Sequence, residues 1–331
     1  MSGAAALVDG YDLVIFDLDG VVYLGADPVP GAAAAINRLR ARNKPLVYAT
    51  NNASRRPDEV AELLTGLGVP AGADEILTSP QAAAALLADR VPPGAPVLIV
   101  GTDALGTEVA GVGLKPVSSA EDRPVAVVQG YGPGVGWPEL AEACVAIRAG
   151  ALWVATNADR TLPSSRGPLP GNGALVAALA TALDRGPDEV VGKPAPALFQ
   201  RAAQRTGARR PLVVGDRLDT DIEGAVRAGM DSLLVLTGVS TAADLLAAPP
   251  HQRPTHVAEN LTGLFTVDGG AEGWQVRRRD GAVELDGAGT PVGALRALCA
   301  AAWADGAPTA VIPVSPAAAG ALKALRLEQL A

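Results

Sequence analysis

The chain has 331 residues, 49% of them hydrophobic, and a formal net charge of −8. That is long enough for two or three folding units and too apolar for intrinsic disorder, and the acidic balance argues against nucleic acid or an anionic membrane as partner. Cys144 and Cys299 stand far apart without a CxxC pair, which excludes a disulfide framework or a cysteine-rich zinc site.

Short β-branched runs alternate with Ala/Leu-rich stretches of helical period. The first strand, Leu13–Phe16, ends in two carboxylates one residue apart, Asp17 and Asp19, followed by Gly20. An EF-hand loop does not fit, because glycine is fourth here rather than sixth. A helix over Ala32–Arg42 and a strand over Leu46–Ala49 follow, and the strand runs into Thr50, Asn51 and Asn52. Hydroxyl and amide groups at a strand end suit either phosphate oxygens or simple loop capping. Helices are then expected over Asp58–Leu67 and Gln81–Asp89, the second opened by Ser79 as N-cap with Pro80 behind it. Next come strands Val97–Val100, Val125–Gln129 and Leu152–Ala155, with helices Pro138–Ala149 and Gly173–Leu183 among them.

The stretch VVGKPAPALF sets Lys193 before Pro194 and a helix over Ala195–Thr206. It is not a P-loop, which needs upstream glycines and a Ser or Thr after the lysine. Lysine is scarce in this chain, four of 27 basic residues. Lys193 is either a point charge for a phosphate or a surface residue at a helix start. Strand Leu212–Val214 then leads into Gly215-Asp216, Asp219 and Asp221. Carboxylates clustered at a strand end are oxygen ligands for a hard cation such as Mg2+. Asp221 has an alternative duty as the cap of a helix over Asp221–Ala228; Asp216 has none. Gly207 and Gly229 are candidate helix stops, Leu233–Leu236 is the last core strand, and His251 and His256 read as loop residues. Strands alternating with helices imply a mostly parallel, doubly wound α/β sheet that binds ligands at the carboxyl ends of its strands.

Beyond about Pro254 the pattern changes. DGGAEG (268–273) reads as a linker, followed by a hairpin around Asp280-Gly281, a helix over Pro291–Ala304, a strand over Thr309–Val314 and a helix over Pro316–Leu325. No apolar run reaches the ~18 residues of a membrane helix. The N-terminal AAALV lacks the basic region of a signal peptide. A cytoplasmic protein without membrane insertion is therefore expected.

The order of the motifs, an acid pair, then Thr, then Lys, then GD…D, each after a strand, resembles the haloacid-dehalogenase-like phosphotransferases from about Tyr11 to Leu264. FDLDGVVY, YATNNASR, LPGNGALVAAL, VGKPAPALF and VVGDRLDTDI are similar to the NagD-like phosphatases of that superfamily. The resemblance implies a core over residues 1–80 and 188–265, an inserted α/β cap over 81–187 and a small α+β domain over 270–331. It makes Asp17 the nucleophile that forms an aspartyl-phosphate, and Asp19 the acid and then base. Mg2+ would be held by Asp17, the Asp19 carbonyl, Asp216 and Asp221, and phosphate oxygens by Thr50, Asn51, Asn52 and Lys193. Cap loops around Asn157–Asp159 and Pro170–Gly173, with Asn157, Asp159, Gly171 and Asn172, would choose the leaving group; a plain turn before a helix explains the glycines equally well. Arg160 and Arg166 serve either a second anionic group of the substrate or surface salt bridges.

The tail resembles the truncated acetyltransferase-like appendage of some actinobacterial glycerol-3-phosphate phosphatases. It lacks a Q/RxxGxG/A pyrophosphate loop, so acetyl transfer is not expected. The resemblance implies a Mg2+-dependent phosphatase of a small phosphorylated metabolite, glycerol 3-phosphate first, in glycerophospholipid turnover, assembled as a homodimer. Phosphoglycolate, pyridoxal phosphate or an aryl phosphate are alternative substrates. An acyl-CoA-binding or sensor protein on a phosphatase scaffold is the alternative of another class.

Overall fold

The computed structural model describes residues 5–25, 27–162, 167, 169–266, 271, 273–279 and 281–330. Two compact units emerge, one built from residues 1–24, 28–45 and 208–331, the other from 25–27 and 46–207.

In the first unit four parallel strands lie side by side in the order His256–Ala258, Asp231–Val235, Pro211–Gly215 and Leu13–Phe16. Leu13–Phe16 and Pro211–Gly215 are buried along their whole length, the continuous apolar run expected of a parallel sheet covered on both faces. Phe16 is in register with Val214, so the chain leaves both strands at one level, and Asp17 and Asp216 follow there. Helices Ala32–Arg40, Glu223–Ala228 and Ala242–Leu246 belong to this unit. Gly229 ends its helix in the left-handed conformation at φ 69°, as its place in the sequence implies.

His256 is not a loop residue. It opens the outermost strand, and its Nε2 lies 2.8 Å from the Tyr11 hydroxyl, which also donates to Asp231 Oδ2 at 3.0 Å. Neighbouring prolines suggested a loop, but the three residues His256–Ala258, just beyond Pro254, are enough to pair with Leu233–Val235.

The tail forms a three-stranded sheet. Trp274–Arg279 runs antiparallel to Ala282–Gly287, and the latter is parallel to Val311–Pro313. The hairpin is where the sequence places it, with Gly281 at φ 84°; Asp280 lies outside the described residues. Helices Pro291–Asp305 and Pro316–Ala324 pack on it. Val283, Leu285, Leu295, Leu298 and Leu322 of the tail share one hydrophobic cluster with Leu218, Ile222, Leu234, Leu245 and Val257. Trp303 Nε1 donates to the Leu245 carbonyl (3.1 Å) and Arg296 to that of Val257 (2.7 Å). The tail therefore shares the core of the unit.

The second unit has a five-stranded parallel sheet in the order Glu189–Val190, Leu152–Ala155, Ala126–Gln129, Pro96–Val100 and Lys115–Val117. Helices Trp137–Arg148 and Asn172–Leu183 bury Ala143, Ile147, Val176 and Leu179 against Trp153, Val127 and Leu98. Strands Leu46–Thr50 and Ile76–Thr78 pair in parallel in the same unit. Helix Ser79–Arg90 is capped one residue earlier than expected: Thr78, not Ser79, accepts from the Gln81 N–H. Ser79 is buried and donates instead to the Asn51 carbonyl at 2.9 Å, so a tertiary partner takes the hydroxyl that would have made the cap.

Candidate active site

Asp17 continues the first strand, its N–H donating to the Val214 carbonyl at 2.8 Å. The chain then turns sharply. Gly20 sits at φ 82°, and its N–H returns to the Tyr23 carbonyl (2.7 Å), which leaves Asp19 half-buried. Asp216, 1% exposed, follows strand Pro211–Gly215. Its Oδ2 accepts from the Val239 N–H at 2.7 Å.

A single turn of π-helix, Leu218–Ile222, precedes the expected helix and delays it to Glu223. Such wide turns cluster at functional sites, and this one buries Asp221 completely, with its Oδ2 accepting from the Arg217 N–H at 3.1 Å. Asp221 thus binds backbone four residues back rather than capping the helix ahead. Asp219 turns away to Arg217 (3.0 and 2.8 Å). Partial burial works against its ionisation, yet the guanidinium outweighs that and holds the carboxyl below the usual range.

Asp17, Asp216 and Asp221 are all buried, and one carboxylate oxygen from each lies within 4.8 Å of the others. Like charges so close and so dry repel strongly unless a cation neutralises them. An all-oxygen donor set suits a hard divalent ion. Backbone around the cluster leaves no room for side chains. A Cβ on Gly20 would come 2.4 Å from Asp216 Oδ2, and one on Gly238 would come 1.9 Å from the same oxygen.

In the other unit, Thr50 ends strand Leu46–Thr50 and Asn51 follows it; both are buried, as is Lys193, which is only 3% exposed. Lys193 is therefore not a surface residue, and its helix begins at Ala197. Asn51 is fixed at both ends of its amide: Oδ1 accepts from the Lys193 N–H (2.8 Å), and Nδ2 donates to the Lys193 carbonyl (3.0 Å) and to Asp159 (3.1 Å). Thr50 Oγ1 accepts from the Asn52 N–H (3.1 Å), and Asn52 Oδ1 accepts from Ser54, an Asx turn that leaves backbone N–H groups to shape the loop.

Asn157 Nδ2 donates to the Asn51 carbonyl at 2.8 Å, and Asn172 Nδ2 to the Asn157 carbonyl at 2.7 Å. Asn157 and Asn172 are both buried. Four of the expected residues, Asn51, Lys193, Asn157 and Asp159, thus meet directly, with Asn172 one bond further on. Gly171 precedes the helix opened by Asn172, and a Cβ there would meet the Asp159 carbonyl at 2.3 Å. Close packing requires this glycine. Arg160 is exposed, and Arg166 lies outside the described residues.

Residues 14–115 match the haloacid dehalogenase-like hydrolase family, residues 190–264 a HAD-hydrolase-like family, and residues 271–327 the GCN5-related N-acetyltransferase like domain. D-glycerol 3-phosphate phosphatase of Mycobacterium tuberculosis is 51% identical over 285 residues, which is 85% of this chain and 80% of that protein. The chain belongs to the haloacid dehalogenase-like hydrolases. A crystal structure of the M. tuberculosis glycerol phosphate phosphatase with magnesium superposes on this hydrolase at a TM-score of 0.92 and 47% identity, covering 98% of this chain and all of that one. The 4-nitrophenylphosphatase of Thermotoga maritima matches at a TM-score of 0.72 and 33% identity, over 78% of this chain and 97% of its own.

Sequence reasoning missed the loop after strand Asp231–Val235 of this hydrolase. Thr237 Oγ1 donates to the Gly20 carbonyl (2.5 Å), the Ser240 N–H to the Asp216 carbonyl (3.1 Å), and the Leu218 N–H to Ser240 Oγ (3.0 Å). The available signal was LTGVS, a glycine flanked by hydroxyl residues at a strand's carboxyl end. Its lack of a charged group hid it.

Proposed function

We propose that this hydrolase is a Mg2+-dependent phosphatase that converts glycerol 3-phosphate to glycerol and inorganic phosphate. The buried cluster of Asp17, Asp216 and Asp221 carries the reading, and 51% identity with a D-glycerol 3-phosphate phosphatase over 85% of the chain supports the substrate. Mg2+ would be held by Asp17, Asp216, Asp221 and the Asp19 carbonyl, where it lowers the repulsion between carboxylate and phosphate. The Asp17 carboxylate attacks phosphorus, the ester P–O bond breaks, and Asp19 gives its proton to the departing alkoxide. Asp19 then takes a proton from water, which attacks the aspartyl-phosphate, frees Asp17 and releases phosphate. We assign the phosphate oxygens to Thr50, Asn51, Asn52 and Lys193, whose positive and N–H groups oppose the charge that gathers on them. Choice of the leaving group goes to the loops of Asn157, Asp159, Gly171 and Asn172.

The test is phosphate release from glycerol 3-phosphate with Mg2+. A kcat/KM well below that for phosphoglycolate, pyridoxal phosphate or 4-nitrophenyl phosphate would move the assignment within the family; the likeness to 4-nitrophenylphosphatase makes the aryl ester the sharpest rival. Micromolar binding of acetyl-CoA in calorimetry would favour the acyl-CoA reading instead.

The same proposal includes a core over 1–80 and 188–265, a cap over 81–187 and a tail domain over 270–331; the separate five-stranded sheet between Pro96 and Val190 supports the cap. It also includes a cytoplasmic setting, where small phosphate esters and Mg2+ are at hand. The acidic net charge supports a small-molecule rather than a nucleic-acid partner. Trp137, 80% exposed on a helix that also exposes Val145, supports a homodimer, which sedimentation of Trp137→Asp would reduce to monomer.

A further inference from the structure

The loop Leu236–Ser240 carries no charged side chain, yet Thr237, Val239 and Ser240 all bond to the segments that carry the acid cluster. The Val239 N–H holds one oxygen of Asp216 at 2.7 Å and so restrains that carboxylate. Ser240 holds the start of the acidic segment at two points: its N–H binds the Asp216 carbonyl, and its Oγ accepts from the Leu218 N–H, which opens the π-turn that buries Asp221. Thr237 reaches the opposite side and donates to the Gly20 carbonyl, one peptide beyond Asp19. Gly238 lies against Asp216, so close that a Cβ would overlap the carboxylate, and Gly20 presses on the same group. Asp216 is therefore clamped between two glycines from two loops, and Thr237 ties those loops together.

From this geometry we infer that Thr237 and Ser240 are positioning residues for the divalent-cation site, setting its affinity without touching substrate. The inference rests on the metal-dependent reading above. Partners that orient metal ligands act on affinity first, because a carboxylate free to rotate must be ordered when the ion arrives. Thr237→Val keeps the shape and removes the hydroxyl, whereas Thr237→Ser keeps the hydroxyl.

The experiment is calorimetric titration of the metal-free full chain with MgCl2, paired with kcat and KM for glycerol 3-phosphate at saturating Mg2+. Thr237→Val is expected to weaken Mg2+ binding by about 10-fold or more, with KM near the wild-type value once Mg2+ saturates, and Thr237→Ser to restore the affinity. Ser240→Ala is expected to weaken Mg2+ in the same direction, and it decides the matter if Thr237→Val does not fold. Wild-type Mg2+ affinity in a folded Thr237→Val or Ser240→Ala protein overturns the positioning role. Wild-type protein that gives no Mg2+ heat overturns the metal reading itself, so the two failures are told apart.

Discussion

Asn51 is the residue on which most converges, and its removal gives a quantitative forecast. Asn51→Ala deletes the acceptor for the Lys193 N–H and the donor to the Lys193 carbonyl. It also deletes the donor to Asp159. The Asn51 carbonyl keeps its bonds from Ser79 and Asn157, so the loss is confined to the side chain. Two backbone groups of the buried Lys193 lose these bonds, at about 1–3 kcal/mol each. If relaxation recovers half of that, the net cost is about 1–3 kcal/mol. Thermal denaturation is then expected to move down by several degrees, given roughly 2–4 °C per kcal/mol in domains of this size. That amide holds Lys193 to this loop at both its N–H and its carbonyl, so a share of the cost appears as a displaced ammonium. We expect kcat/KM for glycerol 3-phosphate to fall by about 10–100-fold, the equivalent of roughly 1.4–2.7 kcal/mol. Asn51→Asp sharpens the comparison: it keeps the acceptor for the Lys193 N–H and sets a second negative charge against Asp159. It should lose more activity than Asn51→Ala. The assay is phosphate release over a substrate series beside a melting curve. An Asn51→Ala protein with kcat/KM within threefold of wild type and an unshifted melt would refute the reasoning.

Three further outcomes are expected. Asp19→Asn should remove the proton donor and flatten the alkaline limb of the kcat/KM profile, where the acid loses its proton; an unchanged limb with activity intact would discard the acid role of Asp19. Chelating the divalent ion should lower the melting temperature, since an ion at 100 times its dissociation constant contributes about 2.7 kcal/mol to folding; a melt indifferent to EDTA would speak against a metal in the acid cluster. Burial pushes the Asp12 carboxyl up, but the N–H groups of Arg209 and Arg210, at 2.8 and 2.9 Å, together with the Lys44 charge outweigh it and hold the carboxyl below its ordinary value of 3.8. Its stabilisation is thus complete above that pH and is lost as the pH falls through the lower folded value. Asp12→Ala should melt earlier than wild type at neutral pH, and the gap should close in acid; a gap that persists at pH 2 contradicts the assignment.

Charge at the end of an apolar strand is legible without a structure, because burying a carboxylate is costly and only function or a partner repays it. That is why Asp17, Asp216 and Lys193 stood out. Hydrophobic periodicity likewise located the helix Gly173–Leu183, found at Asn172–Leu183, and the strand Leu152–Ala155 without error. What stayed hidden lacks either charge or period. Val239 acts through its backbone N–H, which any residue but proline carries. Helix Asp103–Gly111 has Gly106 in its middle and a glycine at its end, which weakened its signal. Strand Lys115–Val117 holds a proline and sits at the sheet's edge, where proline is tolerated. Ser79 shows the remaining limit: a local rule named it a cap, and a partner 28 residues away claimed it.

The shared hydrophobic cluster changes what the tail can be in evolution. An appended module that keeps its own core can be lost or exchanged at the cost of a linker. Here a chain ending at Thr266 would open Leu245, Leu246 and Val257 to water and strip the Leu245 and Val257 carbonyls of Trp303 and Arg296. The fusion is therefore one-way: once the phosphatase side has let its apolar surface be covered by the acetyltransferase-like fold, that fold is inherited with it, whether or not any acetyl chemistry survives.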